Sequence, residues 1–390
     1  MTATSSARAE LQHPPSVTAA AAAATSPLSH NTGLSTPEFT PTTTTATANN
    51  HNANTSPERH FVIGTRKSQL AMVQAKEVQA ALAKSHPTHT FTIHGMTTKG
   101  DKVLDTALSK IGSKSLFTKE LEVALADGTV DIVVHSLKDL QTVLPNGMIL
   151  GAVMTREDPR DALVLSQRAI AQGLTTIESL PPGSVVGSSS VRRIAQLKRR
   201  FPHITFLDVR GNLNTRLSKL DDPSGPYTAL LLAYAGLHRL GWNNRISHVL
   251  PPTTILHAVG QGALGIECRA ADAATLDILA SLDHTETRLR CTAERAFMRF
   301  LEGGCSVPLG VWTEFDPETH ALRIEGNVSK VDGSVEIKDE VAVTLDPSAS
   351  HLAHLVAAEQ LGERLAQALV DRGAREILDE IKRQRVVLVD

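Results

Sequence analysis

Residues 131–140 run from an apolar segment into ionisable side chains, and they are the first place where this sequence could do chemistry. Residues 131–134 are rich in Ile and Val, which predicts a short strand of a parallel sheet covered by helices. Ligands of such sheets bind beyond the carboxyl ends of the strands, where His135, Ser136, Lys138 and Asp139 follow. An acid beside a base there could transfer protons and stabilise charge. Lys138 and Asp139 could instead form an ordinary solvated ion pair, and this segment alone leaves both interpretations open.

A second candidate site is the serine run Ser188, Ser189 and Ser190, which precedes Arg192 and Arg193 at the start of a predicted helix. A helix N-terminus carries positive partial charge and unpaired N–H groups, so arginines in its first turn are unfavourable unless an anion offsets them. Hydroxyl groups and guanidinium groups together at this position therefore predict a bound anion.

The same pattern occurs near the start of the ordered sequence, where Arg66 and Ser68 follow a predicted strand. Arg210 and Arg216 flank another predicted strand-to-helix turn. Guanidinium groups match carboxylates and phosphates with two hydrogen bonds, so several of them around one crevice predict a small polyanionic ligand. A solvated basic helix face is the alternative, and it suits residues 198–200. A nucleic-acid site is disfavoured because the basic run lacks interleaved aromatic residues.

Cys305 is the third feature with chemical potential, because glycines precede it and a Ser-Val-Pro segment follows it. Flexible glycines could expose the thiol as a nucleophile or as a covalent attachment point, whereas the alternative is a small side chain buried in a turn. Cys268 and Cys291 lie in a predicted strand and a predicted helix, where core packing is expected. Three scattered cysteines favour a reducing compartment and predict neither disulfides nor a metal site.

Two segments of alternating strands and helices must position these residues. The pattern predicts strands at 61–64, 131–134, 185–187, 204–209 and 229–232, and helices at 69–84, 118–126, 191–200 and 213–216. The two segments start with similar strand–turn–helix units, so they indicate two lobes built on one plan. After residue 283 a helix at 286–301, strands at 309–315, 322–328 and 335–345, and a helical region at 354–383 predict an α+β domain with an antiparallel sheet.

The chain of 390 residues, with a net charge of −2, is therefore predicted to contain an N-terminal tail and three domains. Residues 1–58 are low in large apolar side chains and are predicted to be disordered, with a transit peptide as the alternative. The predicted domains are 59–157 with 259–282, 158–258, and 283–390. No apolar run is long enough to span a membrane, and a cytoplasmic location is expected. Residues 260–265 fit a dinucleotide fingerprint formally, but a predicted strand follows where a helix is required.

Six motifs together resemble the porphobilinogen deaminases, which are also called hydroxymethylbilane synthases. They are GTRKSQLA at 64–71, VHSLKD at 134–139, GSSSVRR at 187–193, RGNLNTRL at 210–217, VGQGALG at 259–265 and LEGGCSVP at 301–308. The resemblance extends from about residue 61 to the C-terminus. It implies an α/β fold of two periplasmic-binding-protein-like lobes, with the cysteine on a loop of the third domain that faces the cleft.

The resemblance also implies an activity and a cofactor. Four porphobilinogen molecules would be joined head to tail with release of ammonia, giving hydroxymethylbilane for haem synthesis. A dipyrromethane cofactor would be held by a thioether to Cys305, and Asp139 would contact pyrrole nitrogens. The residues carried over as carboxylate or cofactor ligands are Arg66, Ser68, Lys138, Ser189, Arg192, Arg193, Arg210, Arg216 and Arg239. A monomer without a nucleic-acid or membrane partner is expected.

Two features depart from the family pattern. Gln141 stands where the family commonly has proline, and the long N-terminal tail lies outside the pattern. The competing functional hypothesis is a binding protein that uses the same two-lobed cleft to hold a polycarboxylate without catalysis. That hypothesis gives no reason for an exposed Gly-Gly-Cys segment.

Overall fold

The computed structural model describes residues 58–102, 117–302 and 307–386. Cys305 and the predicted N-terminal tail up to residue 57 lie outside the described residues. In the described part of the chain, no helix combines the length and the apolar character that crossing a membrane would require.

Strands and helices follow one another in three consecutive segments of the chain. The first segment contains β1 (His60–Arg66), α1 (Gln69–Ser85), β2 (Thr90–Met96), α2 (Lys99–Lys102), α3 (Lys119–Ala126), β3 (Ile132–Ser136), a 3-10 turn (Leu137–Asp139) and β4 (Met148–Val153). The second contains β5 (Asp161–Leu165), α4 (Gln167–Ala171), β6 (Val185–Gly187), α5 (Val191–Arg200), β7 (Thr205–Leu207), α6 (Leu213–Asp221), β8 (Ala229–Ala233), α7 (Tyr234–Arg239), a 3-10 turn (Asn243–Arg245) and β9 (His248–Val249). The last contains β10 (Leu264–Arg269), α8 (Ala273–Ala280), α9 (Thr285–Phe300), β11 (Leu309–Asp316), β12 (Ala321–Ser329), β13 (Glu336–Thr344), α10 (His351–Asp371) and α11 (Ala374–Val386).

The first lobe is a five-stranded sheet in the order β2-β1-β3-β10-β4. β1 runs parallel to β2 and β3, so the carboxyl ends of β1 and β3 meet at one edge of the sheet. The apolar face of α1, with Ala75, Val78 and Leu82, packs in the same core as Ile132 and Val134 of β3. This packing fixes the two strands whose ends carry the predicted chemical residues.

The second lobe repeats the plan with a five-stranded sheet in the order β7-β6-β8-β5-β9. β6 is parallel to β7 and β8, and the buried β8 contains an uninterrupted apolar run. The segments after β6 and β7 therefore leave the sheet at the same edge. The chain crosses between the lobes twice, at 154–160 and at 250–263, and β10 returns to the first sheet.

The third part is an antiparallel sheet of β11, β12 and β13 packed against α9 and α10. The two helices approach closely at Gly362, where an added Cβ would lie 2.1 Å from the carbonyl oxygen of Ala293. Phe297 and Leu365 fill the space between these helices and the sheet. The predicted fold class of two α/β lobes and a small α+β domain is confirmed.

Candidate active site

A cavity of about 300 Å³ lies between the two lobes at the edges where their parallel strands end. Most of the polar residues that the sequence predicted for the site line this cavity. They are Arg66, Ser68, Ser136, Lys138 and Asp139 from the first lobe, and Ser189, Arg193, Arg210, Arg216 and Arg239 from the second. The cleft thus combines the carboxylates of Asp139 and Asp101 with cationic groups from both lobes.

Asp139 is the last residue of the 3-10 turn that follows β3. Leu137 anchors this turn because its side chain is buried, whereas Asp139 is exposed to the cavity. Among the described residues, none donates a hydrogen bond to the Asp139 carboxylate. The carboxylate is therefore available to a ligand.

The side-chain amide of Gln261 holds the ammonium group of Lys138 next to Asp139. Its Nζ donates to Oε1 of Gln261 at 3.4 Å, and Nε2 of Gln261 donates to Asp161 at 2.8 Å. Burial lowers the pKa of Lys138, and Arg193 lowers it further, while Asp139 and Asp161 partly offset this change. Deprotonation of Lys138 therefore costs less free energy than deprotonation of a lysine in water.

Arg66 and Ser68 occupy the end of β1 and the start of α1. Ser68 caps α1 by accepting a hydrogen bond from the N–H of Ala71, which fits its position directly before the predicted helix at 69–84. Arg66 forms an ion pair with Asp101, and its guanidinium lies 4.4 Å from the centre of the Phe117 ring. An aromatic ring and an acid thus hold this arginine at the cavity wall.

The first turn of α5 is where the sequence predicted a bound anion, and that anion belongs to the protein itself. The Asp161 carboxylate accepts from Arg192 at 2.8 Å and from Nη2 of Arg193 at 2.7 Å. All three side chains are buried, and the two arginines hold the pKa of Asp161 far below its usual range despite burial. Arg193 still borders the cavity, whereas Arg192 points to Asp161 and to the carbonyl of Leu256.

The three serines before α5 have different positions. Ser189 lines the cavity and donates to the carbonyl of Val209 at 2.6 Å. Ser190 caps α5 by accepting from the N–H of Arg193, and Ser188 is buried and accepts from the N–H of Ser190. Ser188, Ser190 and Arg192 are therefore not part of the cavity wall.

Arg210 and Arg216 line the second lobe's side of the cavity. Nε of Arg210 donates to Asp208 at 2.5 Å, and Nε of Arg216 donates to the carbonyl of Gly211 at 2.8 Å. Burial lowers the pKa of Arg216 to about 10, and Arg193 contributes to the decrease. A bound carboxylate would relieve this unfavourable concentration of positive charge.

Arg239 connects the lobes at the cavity. It projects from α7 of the second lobe and donates to Glu77 of α1 at 3.2 Å and to the carbonyl of Gly262 at 3.0 Å. Its side chain is 7% exposed. The sequence alone did not identify Glu77, Gln261 or Asp161 as residues of the site. Each of them belongs to the site through contact with a residue that lies far away in the chain.

The sequence comparisons agree with this architecture. Residues 61–277 match a family model described as "Porphobilinogen deaminase, dipyromethane cofactor binding domain". Residues 288–371 match a second one described as "Porphobilinogen deaminase, C-terminal domain". Together they cover both lobes and most of the third domain.

Cyanobacterial relatives match nearly end to end. The chain is 53% identical to the porphobilinogen deaminase of Synechococcus elongatus over 327 residues, which are 84% of this chain and 97% of that protein. It is 51% identical to the porphobilinogen deaminase of Gloeobacter violaceus over 324 residues, which are 83% of this chain and 94% of that protein. The crystal structure of the methionine-binding protein MetQ aligns with a TM-score of only 0.35 at 11% identity, over 58% of this chain and 91% of that chain.

Proposed function

The chain belongs to the porphobilinogen deaminase family, and from that membership we propose that Asp139 is its catalytic carboxylate and Cys305 its cofactor attachment residue. The enzyme condenses four porphobilinogen molecules head to tail on a dipyrromethane cofactor and releases ammonia and then hydroxymethylbilane. The observation that carries the proposal is the cavity in which the exposed carboxylate of Asp139 faces guanidinium groups from both lobes.

The lining of the cavity fits a pyrrole chain with acetate and propionate groups. Arginines at the cavity wall suit carboxylates because a guanidinium can donate two parallel hydrogen bonds. Arg66, Arg210, Arg216 and Arg239 are proposed as carboxylate ligands, with Ser68, Ser136 and Ser189 as hydroxyl donors. Lys138 supplies a cation directly beside Asp139. Arg193 adds to the positive electrostatic potential in the cavity, while its guanidinium stays hydrogen-bonded to Asp161.

Asp139 performs two tasks in the proposed mechanism. Loss of ammonia from the aminomethyl group leaves a delocalised positive charge on the substrate's pyrrole ring, and a carboxylate near the ring nitrogen stabilises that charge. When bound, the dipyrromethane supplies the free pyrrole carbon that forms the new C–C bond. Asp139 would accept the proton that formation of this bond releases, because its carboxylate is exposed to the cavity.

Cys305 is tested by mass spectrometry of the intact protein. We expect Cys305→Ser to lack the added mass of two linked pyrrole units that the wild-type protein carries, because a serine hydroxyl cannot form the thioether. Cys268→Ser is the matched control, since Cys268 lies buried in β10, and it should retain the added mass. Added mass that persists in Cys305→Ser would refute the attachment site.

Arg216 provides a test of carboxylate binding. Arg216→Leu is expected to raise the KM for porphobilinogen by about tenfold to a hundredfold, because a charge-assisted hydrogen bond contributes about 1.5–3 kcal/mol. Steady-state kinetics measures the change. Arg199→Leu is the control, because Arg199 lies away from the cavity with a half-exposed side chain, and its KM should stay near the wild-type value. An unchanged KM in Arg216→Leu would remove Arg216 from the binding site.

We further propose that the enzyme acts as a cytoplasmic monomer without a nucleic-acid partner. A net charge of −2 supports the absence of a nucleic-acid partner, because such proteins usually carry a strong positive patch. Light scattering on the purified full-length chain measures its mass, and a dimer mass would refute the monomer. Cell fractionation tests the location.

A further inference from the structure

Arg295 of α9 contacts the backbone that follows Asp139. Its Nη1 donates to the carbonyl of Leu140 at 3.1 Å, and its Nη2 donates to the carbonyl of Gln141 at 2.5 Å. These are the two residues that come directly after the proposed catalytic carboxylate. The third domain thus holds the exit of the turn that presents Asp139.

The burial of Arg295 is energetically unusual. The residue is 8% exposed, and among the described residues no carboxylate forms an ion pair with it. Burial lowers the pKa of Arg295 to about 10, and the nearby Arg299 and Arg288 also lower it, while Cys291 and the carboxylate of Glu267 partly offset the change. A buried cation without a paired anion is costly, so its two backbone hydrogen bonds must be important for the structure around them.

The Asp139 turn has little internal support. Its closing backbone hydrogen bond joins the N–H of Leu140 to the carbonyl of Leu137 at 3.2 Å. Leu137 and Leu140 pack in a small apolar cluster with Cys291, which lies one turn before Arg295 on α9. One face of α9 therefore supports the turn by packing through Cys291 and by hydrogen bonding through Arg295.

We infer that Arg295 is a positioning residue for the condensation, which fixes the backbone after Asp139 so that the carboxylate meets the substrate's pyrrole nitrogen. The inference rests on the proposed role of Asp139. Misplacing a catalytic group by about 1 Å can reduce turnover by about a hundredfold, so a loosened turn should affect kcat more than KM.

Arg288 provides a matched control on the same helix. It also donates from α9 to two backbone carbonyls of the first lobe, those of Leu150 at 3.0 Å and Gly151 at 2.9 Å. Those carbonyls belong to β4 instead of the Asp139 turn. If Arg295 and Arg288 only attached the third domain to the first lobe, replacing either of them should have the same effect on the kinetics.

The experiment compares Arg295→Lys, Arg295→Met and Arg288→Met as full-length enzymes, each shown by intact mass to carry its cofactor. For Arg295→Met we expect kcat to fall by about thirtyfold, with KM changed by less than about threefold. Arg295→Lys keeps the charge and one donor, so its kcat should lie between those of Arg295→Met and the wild type. Arg288→Met should lose thermal stability but keep a kcat near the wild-type value.

Equal kcat values for folded Arg295→Met and Arg288→Met would overturn the inference. If Arg295→Met does not fold or load its cofactor, Arg295→Lys decides the matter: a reduced kcat supports the inference, and a wild-type kcat overturns it. Asp139→Asn, assayed in parallel, separates this inference from the proposed function. Full turnover in Asp139→Asn would refute the catalytic role of Asp139, whereas an inactive Asp139→Asn with a wild-type kcat in Arg295→Lys would refute only the positioning role.

Discussion

Asp139→Asn is expected to lower kcat for porphobilinogen by at least about a hundredfold while the protein folds normally and retains its cavity. Removing one electrostatic stabiliser from a catalytic site typically costs about a hundredfold to a thousandfold in kcat. The amide has nearly the shape of the carboxylate but neither stabilises the cationic pyrrole nor accepts its proton. Because Asp139 is exposed and accepts no hydrogen bond from the described residues, its replacement leaves no hydrogen-bond donor unsatisfied.

Single-turnover release of ammonia from enzyme that already carries its cofactor measures this effect directly. Asp277→Asn is the matched control, because Asp277 is also an exposed aspartate of the first lobe, on α8. It should release ammonia at the wild-type rate. An Asp139→Asn enzyme that condenses porphobilinogen within a few fold of the wild-type rate would remove the carboxylate from the mechanism.

Local sequence signals predicted the elements that carry the site, because those signals depend on neighbouring residues. Ser68 and Ser190 directly precede the predicted helices at 69–84 and 191–200, and each caps its helix through the N–H group three residues later. The strand Val185–Gly187 and the helix Val191–Arg200 have the predicted bounds. The half-exposed strand Thr90–Met96 was not predicted, and it pairs along its whole length with β1.

Long-range partners could not be predicted in this way. The arginines at the start of α5 were predicted to bind an anionic ligand, but the sequence could not show that Asp161, 31 residues before Arg192, pairs with both of them. Arg239 was expected to face a ligand, and its contact with Glu77 depends on how the two lobes meet. Tertiary packing, instead of residue type, determines which cations remain available to a substrate.

Replacing Glu294 with glutamine is expected to have the largest effect on stability, about 3–5 kcal/mol in the free energy of unfolding, because it leaves a buried charge without its partner. Arg156 and Glu294 form two hydrogen bonds of 2.6 and 3.0 Å, and their side chains are 3% and 0% exposed. Glu294 also accepts from the N–H of Gly260 at 2.8 Å and from the hydroxyl of Thr313 at 2.6 Å. One carboxylate thus joins α9, both crossovers between the lobes and the third sheet.

Urea unfolding at pH 7 measures the loss in Glu294→Gln. Arg299→Met is the control, because Arg299 lies on the same helix and pairs with Glu359 at the surface, where the two side chains are 36% and 45% exposed. That variant should lose less than about 1 kcal/mol. Stability of Glu294→Gln equal to that of Arg299→Met would show that the buried pair does not stabilise the fold.

The effect of Glu294→Gln should also depend on pH. Burial alone would raise the pKa of Glu294, but Arg156, His257 and the hydroxyl of Thr313 together outweigh burial and lower this pKa from 4.5 to about 2. A carboxylate with a lowered pKa in the folded state contributes stability that is complete above the pKa of the unfolded state and is lost as the pH falls towards the folded value. The difference in stability between the wild type and Glu294→Gln should therefore be constant above about pH 6 and shrink between pH 4.5 and 2. A difference that stays constant through that interval would mean that the negative charge on Glu294 is not what stabilises the junction.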